Sequence, residues 1–220
     1  LGERVSASTV SAVAKKLDKA VRRYHERKLG DGYRFVFFDG VVLKQKGAAK
    51  VQKKIILCVY GITWEGKKEM IDFLLATSES QNAWEGFLRD LHERGLEGKL
   101  CELITTDGGN GLRNALEVVY PRIARQHCWA HKTRNVLDKV KKADQEKVKK
   151  DLQWISHAKN RQAATQAYWS FCQKYRKAYP GAVKSLESEI DDLLSFYQVK
   201  LSVKERQGLG AKDLQRAQMA

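Results

Sequence analysis

The order of apolar patterns in this chain predicts an α/β fold: a mixed sheet flanked by helices, followed by an all-helical region. Two observations carry that expectation. Between residues 33 and 128, short β-branched and aromatic runs alternate with amphipathic segments of helical period. Beyond residue 130 the extended runs cease and helical periodicity takes over.

The elements follow in order. Residues 8–27 read as a helix, because Val10, Val13, Leu17, Val21 and Tyr24 recur at three- and four-residue steps behind a capping Ser6 or Ser8. The run from Val5 to Ser11 resembles half of a helix-turn-helix, and a plain packing helix accounts for it equally well. Tyr33-Arg34-Phe35-Val36-Phe37-Phe38 reads as a buried strand stopping at an Asp39-Gly40 turn. Residues 41–46 are then the returning antiparallel strand, with further extended stretches at 53–60 and 68–76. Trp84, Phe87, Leu88 and Leu91 mark one face of a helix over residues 80–94. Residues 100–106 form a strand ending in Asp107-Gly108-Gly109, a helix runs from 110 to Tyr120, and residues 123–128 form a short strand. From Ala130 to about Leu201 the chain reads as helical, broken at Tyr179-Pro180-Gly181, with Leu186, Ile190, Leu193, Leu194, Tyr197 and Leu201 as a core-facing stripe. Antiparallel hairpins followed by βαβ crossovers are the succession of an RNase H-like mixed sheet.

Composition narrows the functional classes. The 220 residues suffice for a real core. No run approaches a membrane span and the first residues lack a signal-peptide layout, which points to a cytoplasmic protein without membrane partners. The dispersed Cys58, Cys101, Cys128 and Cys172 read as buried small hydrophobes rather than disulfides. Net charge is +15, and residues 121–180 hold 15 Lys and Arg against four acids, so +11 of the excess sits there. Such a field attracts polyanions, with nucleic acid favoured over a merely soluble basic surface.

Asp39 and Asp107 each end an apolar strand and each precede glycine. Asp-Gly is also an ordinary turn dipeptide, so either acid alone is a turn residue. If their strands are parallel neighbours, both carboxylates emerge at one sheet edge, where open α/β sheets bind ligands. Like charges gathered there favour a divalent cation such as Mg²⁺.

Beyond chemistry, several runs resemble a known family. Phe37-Phe38-Asp39-Gly40-Val41-Val42-Leu43-Lys44, Tyr60-Gly61-Ile62-Thr63 and Ser78-Glu79-Ser80 come first. Thr106-Asp107-Gly108-Gly109-Asn110-Gly111-Leu112 and Gln126-His127-Cys128-Trp129-Ala130-His131-Lys132-Thr133-Arg134-Asn135-Val136 follow. Together and in this order they resemble mutator-type insertion-sequence transposases, over about residues 1–200. The resemblance implies an RNase H-like catalytic domain, an Asp-Asp-Glu triad binding two Mg²⁺ or Mn²⁺ ions, and cutting and rejoining of DNA at element ends. It places the first two acids on Asp39 and Asp107, as catalytic residues and metal ligands. It places a Cys-x-x-His pair on Cys128 and His131 near them; Lys132 and Arg134 just beyond are phosphate-contact candidates by their own chemistry. Cys-x-x-His is half of a zinc site, but no second pair is evident and zinc is not expected.

The implied layout is an N-terminal helical remnant of a DNA-binding region (1–30), an incomplete catalytic core (31–135) and a helical insertion with a divergent tail (136–220). The family's third acid lies past the insertion in an Asn-x-x-Glu-Arg context that nothing here matches; Glu205-Arg206 is a superficial echo. Glu102 is a weak substitute, since its odd offset from Asp107 turns it to the other side of the sheet. The expectations are therefore a transposase cut at both ends and inactive as this chain, DNA as partner, and a bacterial, nucleoid-associated location, with self-association left open. The alternative is a non-catalytic DNA-binding or interaction module using residues 121–180.

Overall fold

The computed structural model describes residues 6–46 and 51–199, and the fold below is theirs. Helix α1 (Ala7–Glu26) starts where Ser6 Oγ accepts the Thr9 N–H at 3.1 Å. Its stripe of Val10, Val13, Leu17 and Val21 stays exposed. Only its last turn is anchored: the Tyr24 hydroxyl donates to the Met70 carbonyl at 2.5 Å, and the Tyr24 and His25 rings pack on Phe73.

Strands β1 (Tyr33–Lys46), β2 (Val51–Thr63) and β3 (Lys68–Ala76) form an antiparallel meander. Strands β4 (Leu103–Thr106) and β5 (Arg125–His127) add in parallel on the other side of β1, giving the order β3-β2-β1-β4-β5. This is the expected RNase H-like mixed sheet. Helix α2 (Gln81–Glu93), capped by Ser80, and helix α3 (Asn110–Val119) make the two crossovers. Side chains alternate across β1 as the pleat demands. Val36 and Phe38 join Trp84, Leu88, Ile104 and Leu116 under the two helices, while Phe35 and Phe37 face the opposite layer with Ile62 and Leu103.

One expectation is corrected. Asp39-Gly40 is not a turn and residues 41–46 are not a returning strand; β1 runs straight through them. The reason is pairing: β2 supplies a partner to β1 as far as Lys46↔Val51, including Asp39↔Cys58 and Gly40↔Leu57. A continuous ladder along the β2 side outweighs the turn preference of one dipeptide.

The helical half is α4 (Trp129–Leu137), α5 (Gln145–Ser156), α6 (Arg161–Tyr175), α7 (Pro180–Glu187) and α8 (Ile190–Leu193). The expected continuous helix is broken more often than Pro180 alone requires. Asn160 Oδ1 accepts the Ala163 N–H at 2.8 Å and restarts the chain as α6. Pro180 occupies the first turn of α7, where its missing N–H loses no helical bond. Leu186, Leu193 and Leu194 are buried in one core with Phe171, Ile155 and Val136, and Ile190 and Tyr197 pack against it; Leu201 and Glu205-Arg206 lie outside the described residues. Within this half the Trp129 indole N–H donates to the Leu193 carbonyl at 2.9 Å, and Val199 and Phe196 tie its end to the sheet by packing against Phe35 and Phe37. All four cysteines are free thiols. Among the described residues no helix is long and apolar enough to cross a membrane.

Candidate active site

The parallel ladder between β1 and β4 ends at Phe38↔Thr106, so Asp39 and Asp107 are each the next residue beyond the same rung. At that point β1 loses its neighbour on the β4 side, and β4 turns away through Gly108, whose φ of +89° suits glycine. A side chain at Gly108 would also strike the His127 ring. Asp107 Oδ1 accepts the Gly109 N–H at 3.0 Å, which fixes the start of α3. Burial lifts the Asp39 carboxyl above its usual range. His131 opposes that shift, Asp107 adds to it, and the Gly40 backbone N–H and Arg134 pull it down. Asp39 forms no ion pair among the described residues.

A third acid, Glu79, stands beside the pair. A Cβ added to Gly40 would lie 2.5 Å from Glu79 Oε1, and one added to Gly111 would lie 2.5 Å from the Glu79 carbonyl oxygen. The two glycines thus open room for Glu79 between β1 and the first turn of α3. Burial raises the Glu79 carboxyl, and Asp107 and then Asp39 raise it further. It has no hydrogen bond or ion pair among the described residues. Reading the sequence placed Glu79 in a family-like run, Ser78-Glu79-Ser80, but gave it no role at the site, because its proximity to the aspartates arises from chain crossing and not from spacing. Glu102, the weak substitute, pairs with Arg34 at 2.7 Å.

Cys128 and His131 flank the start of α4. Cys128 is buried and its N–H donates to the Thr106 carbonyl at 2.7 Å, which locks α4 beneath the Asp107 loop. His131 Nδ1 is buried without a hydrogen-bond partner, and its field reaches Asp39. Lys132 is 2% exposed; its ammonium donates to the Ser185 carbonyl at 3.0 Å and lies 2.7 Å from Glu189 Oε2. That charge is spent inside the protein, whereas Arg134 is exposed. His127 bridges the two halves: Nε2 sits 2.5 Å from the Asp107 carbonyl oxygen and Nδ1 contacts Glu189.

Among the described residues no group of three or more His, Cys, Asp or Glu side chains is placed to hold a metal ion. Mg²⁺ does not ask for one. It is commonly held by one or two carboxylates, with water and substrate phosphate completing the octahedron. Two adjacent carboxylates, one raised by burial and by its neighbour and without an ion pair among the described residues, fit that ion by charge and by ligand hardness.

The chain matches the family model described as "Transposase, Mutator family" over residues 1–208. It is 44% identical over 142 residues to the transposase for insertion sequence element IST2 of Acidithiobacillus ferrooxidans, covering 64% of this chain and 48% of that protein. It is 33% identical over 197 residues to the transposase for insertion sequence element IS905 of Lactococcus lactis subsp. lactis (strain IL1403), covering 90% and 49%. The chain thus spans about half the length of the curated relatives it matches. Among solved structures it is similar to a chain of a simian T-cell lymphotropic virus intasome bound to PP2A regulatory subunit B56 gamma. That likeness covers 90% of this chain and 60% of that one at 10% identity; its TM-score of 0.27 carries no argument.

Proposed function

This chain belongs to the Mutator family of transposases, and on that premise we propose that it is the DNA-processing core of such an enzyme, with Asp39 and Asp107 as divalent-metal ligands for DNA strand cleavage and transfer. The observation that carries the reading is the shared rung Phe38↔Thr106, which sets the two acids side by side at one sheet edge. Bound Mg²⁺ or Mn²⁺ would supply activation of a water or 3′-hydroxyl and stabilisation of the departing 3′ oxygen in an in-line phosphoryl transfer. The chain's own contributions are separable. Asp39 and Asp107 hold the ion, Glu79 adds negative charge to the same pocket, and exposed Arg134 meets a phosphate at the rim. His127 and Cys128 hold the Asp107 loop against α4.

We further propose little or no strand transfer by this chain alone, because no described residue lies in the family's third-acid context. The test is metal-dependent nicking of element-end DNA. Weak Mn²⁺-dependent nicking, lost in both Asp39→Ala and Asp107→Ala, is the expected result. Nicking that survives both substitutions would sink the metal-site reading, and vigorous nicking abolished by Asp39→Ala would sink the inactivity alone. A second reading, binding without chemistry, draws on the lysine-rich exposed face of α5. It predicts salt-dependent DNA binding that is indifferent to both aspartates.

A further inference from the structure

The described surface holds an open hollow between α5 and α6 with a volume of about 520 Å³. Residues Ala163, Ala167 and Phe171, one face of α6, make its apolar floor, and Trp154 of α5 stands at its wall with His157. Trp154 and His157 also line a second hollow of about 350 Å³, bordered by Lys150 and Gln153. Trp154 is 73% exposed, although a hydrophobic core lies directly beneath its helix. An indole that lines two open spaces and keeps 73% of its surface exposed is largely unpacked. Cations surround it. Lys150 and Lys159 border the hollows without an ion pair among the described residues, and Lys147 and Lys149 extend the charge along α5. Lys174, at the same rim, is neutralised by Asp151 at 2.5 Å.

We propose that this pair of hollows is a binding site for an unpaired nucleotide of a DNA strand, with Trp154 as the stacking platform and Lys150 and Lys159 on the flanking phosphates. Charge complementarity selects the occupant. The segment that builds the site carries +11 over residues 121–180, a field that favours a polyanion over an apolar protein surface. Stacking on an exposed aromatic beside backbone-tracking cations is how single strands are held, and it tolerates any base because every base has a π-face. The larger hollow has the volume of small-ligand sites and can admit a base with its sugar. In duplex DNA the bases are already stacked, so the site distinguishes frayed, overhanging or single-stranded ends from intact duplex. The inference rests on the DNA-processing reading above and deepens it.

The test is fluorescence anisotropy with a labelled 12-nucleotide single strand, a blunt duplex and a duplex carrying a short unpaired overhang. Trp154→Ala should weaken binding to the single strand and the overhang about tenfold and leave the blunt duplex unchanged. Trp154→Phe should restore most of the loss, and Trp169→Ala, which removes an exposed indole outside the hollows, should change nothing. A 2-aminopurine base in the single strand should be quenched by the unaltered chain and not by Trp154→Ala. Equal effects of Trp154→Ala on all three DNAs, or none, would overturn the proposal. So would a fall in sedimentation mass on Trp154→Ala, which would make the face a contact between copies of the chain. If the unaltered chain binds none of the DNAs, the DNA-processing reading fails; if it binds them without regard to Trp154, only this inference does.

Discussion

Two aspartates in the same sheet live under opposite terms. At the β3 edge, Asp72 is fully buried yet saturated: His25 Nδ1 lies 2.7 Å from one oxygen, the Phe73 N–H donates to it at 2.8 Å, and Arg94 pairs with the other. At the β1–β4 end, Asp39 is only partly buried yet has no ion pair among the described residues and sits beside Asp107 and Glu79. The first acid belongs to architecture, because Arg94 at the end of α2 balances its charge and His25 of α1 binds its other oxygen. The second keeps an unmet demand for positive charge, which a protein retains where something from outside supplies it. Where a buried acid's partner comes from is thus more informative than its burial.

The comparison breaks most readily at Asp72. Asp72→Ala leaves Arg94 with only the half-exposed Asp90 and frees His25 from its partner, so it should destabilise the chain by about 3 kcal/mol in urea unfolding. A loss below about 1 kcal/mol would mean that the node is ornamental. Next in size is Gly111→Ala, whose new methyl meets the backbone of Glu79 and Gln81 and should cost about 2 kcal/mol. Gly40→Ala, which meets only the movable end of Glu79, should cost visibly less; the reverse order would displace Glu79 from the pocket.

Asp39→Asn should act in the opposite direction to Asp72→Ala. The folded chain raises the Asp39 carboxyl, so as pH falls the native state takes up that proton before the unfolded chain does. The penalty is complete above the raised value and is relieved as pH drops through it towards the ordinary carboxylate range. Asp39→Asn should therefore be more stable than the unaltered chain at pH 7, the gap closing in acid. Parallel stability curves from pH 7 downwards would show that the acid is already satisfied. The smallest effect expected is that of Glu79→Gln on Mn²⁺ binding, a loss of about tenfold by electron paramagnetic resonance, well short of that for Asp39→Asn. Unchanged affinity would leave Asp39 and Asp107 as the only carboxylates at the ion.

Much of this was readable from residues alone. The alternation Phe35-Val36-Phe37-Phe38 announces a strand buried on both faces, and the spacing of Trp84, Phe87, Leu88 and Leu91 announces α2 and its buried side. The parallel neighbourhood of Asp39 and Asp107 is one that strand order and crossover rules permit, and the β1–β4 ladder realises it. These are period-and-order signals, which local sequence carries in full.

What tertiary structure alone decided lies where distant segments meet. Asp39-Gly40 spells a turn, but β2 pairs with β1 to Lys46 and holds the dipeptide extended. Lys132 looks like a free cation on a basic helix until Ser185 and Glu189, more than 50 residues on, enclose it. Glu79 stands in a short family-like run that says nothing of its neighbours, and it reaches the aspartates because Gly40 and Gly111 make way for it. The amino-acid order determined which elements form and which acids end up as neighbours, since backbone pairing and periodic burial are short-ranged. Whether a given charge is cancelled, enclosed or left waiting was decided by contacts made only when sheet and helices close on each other.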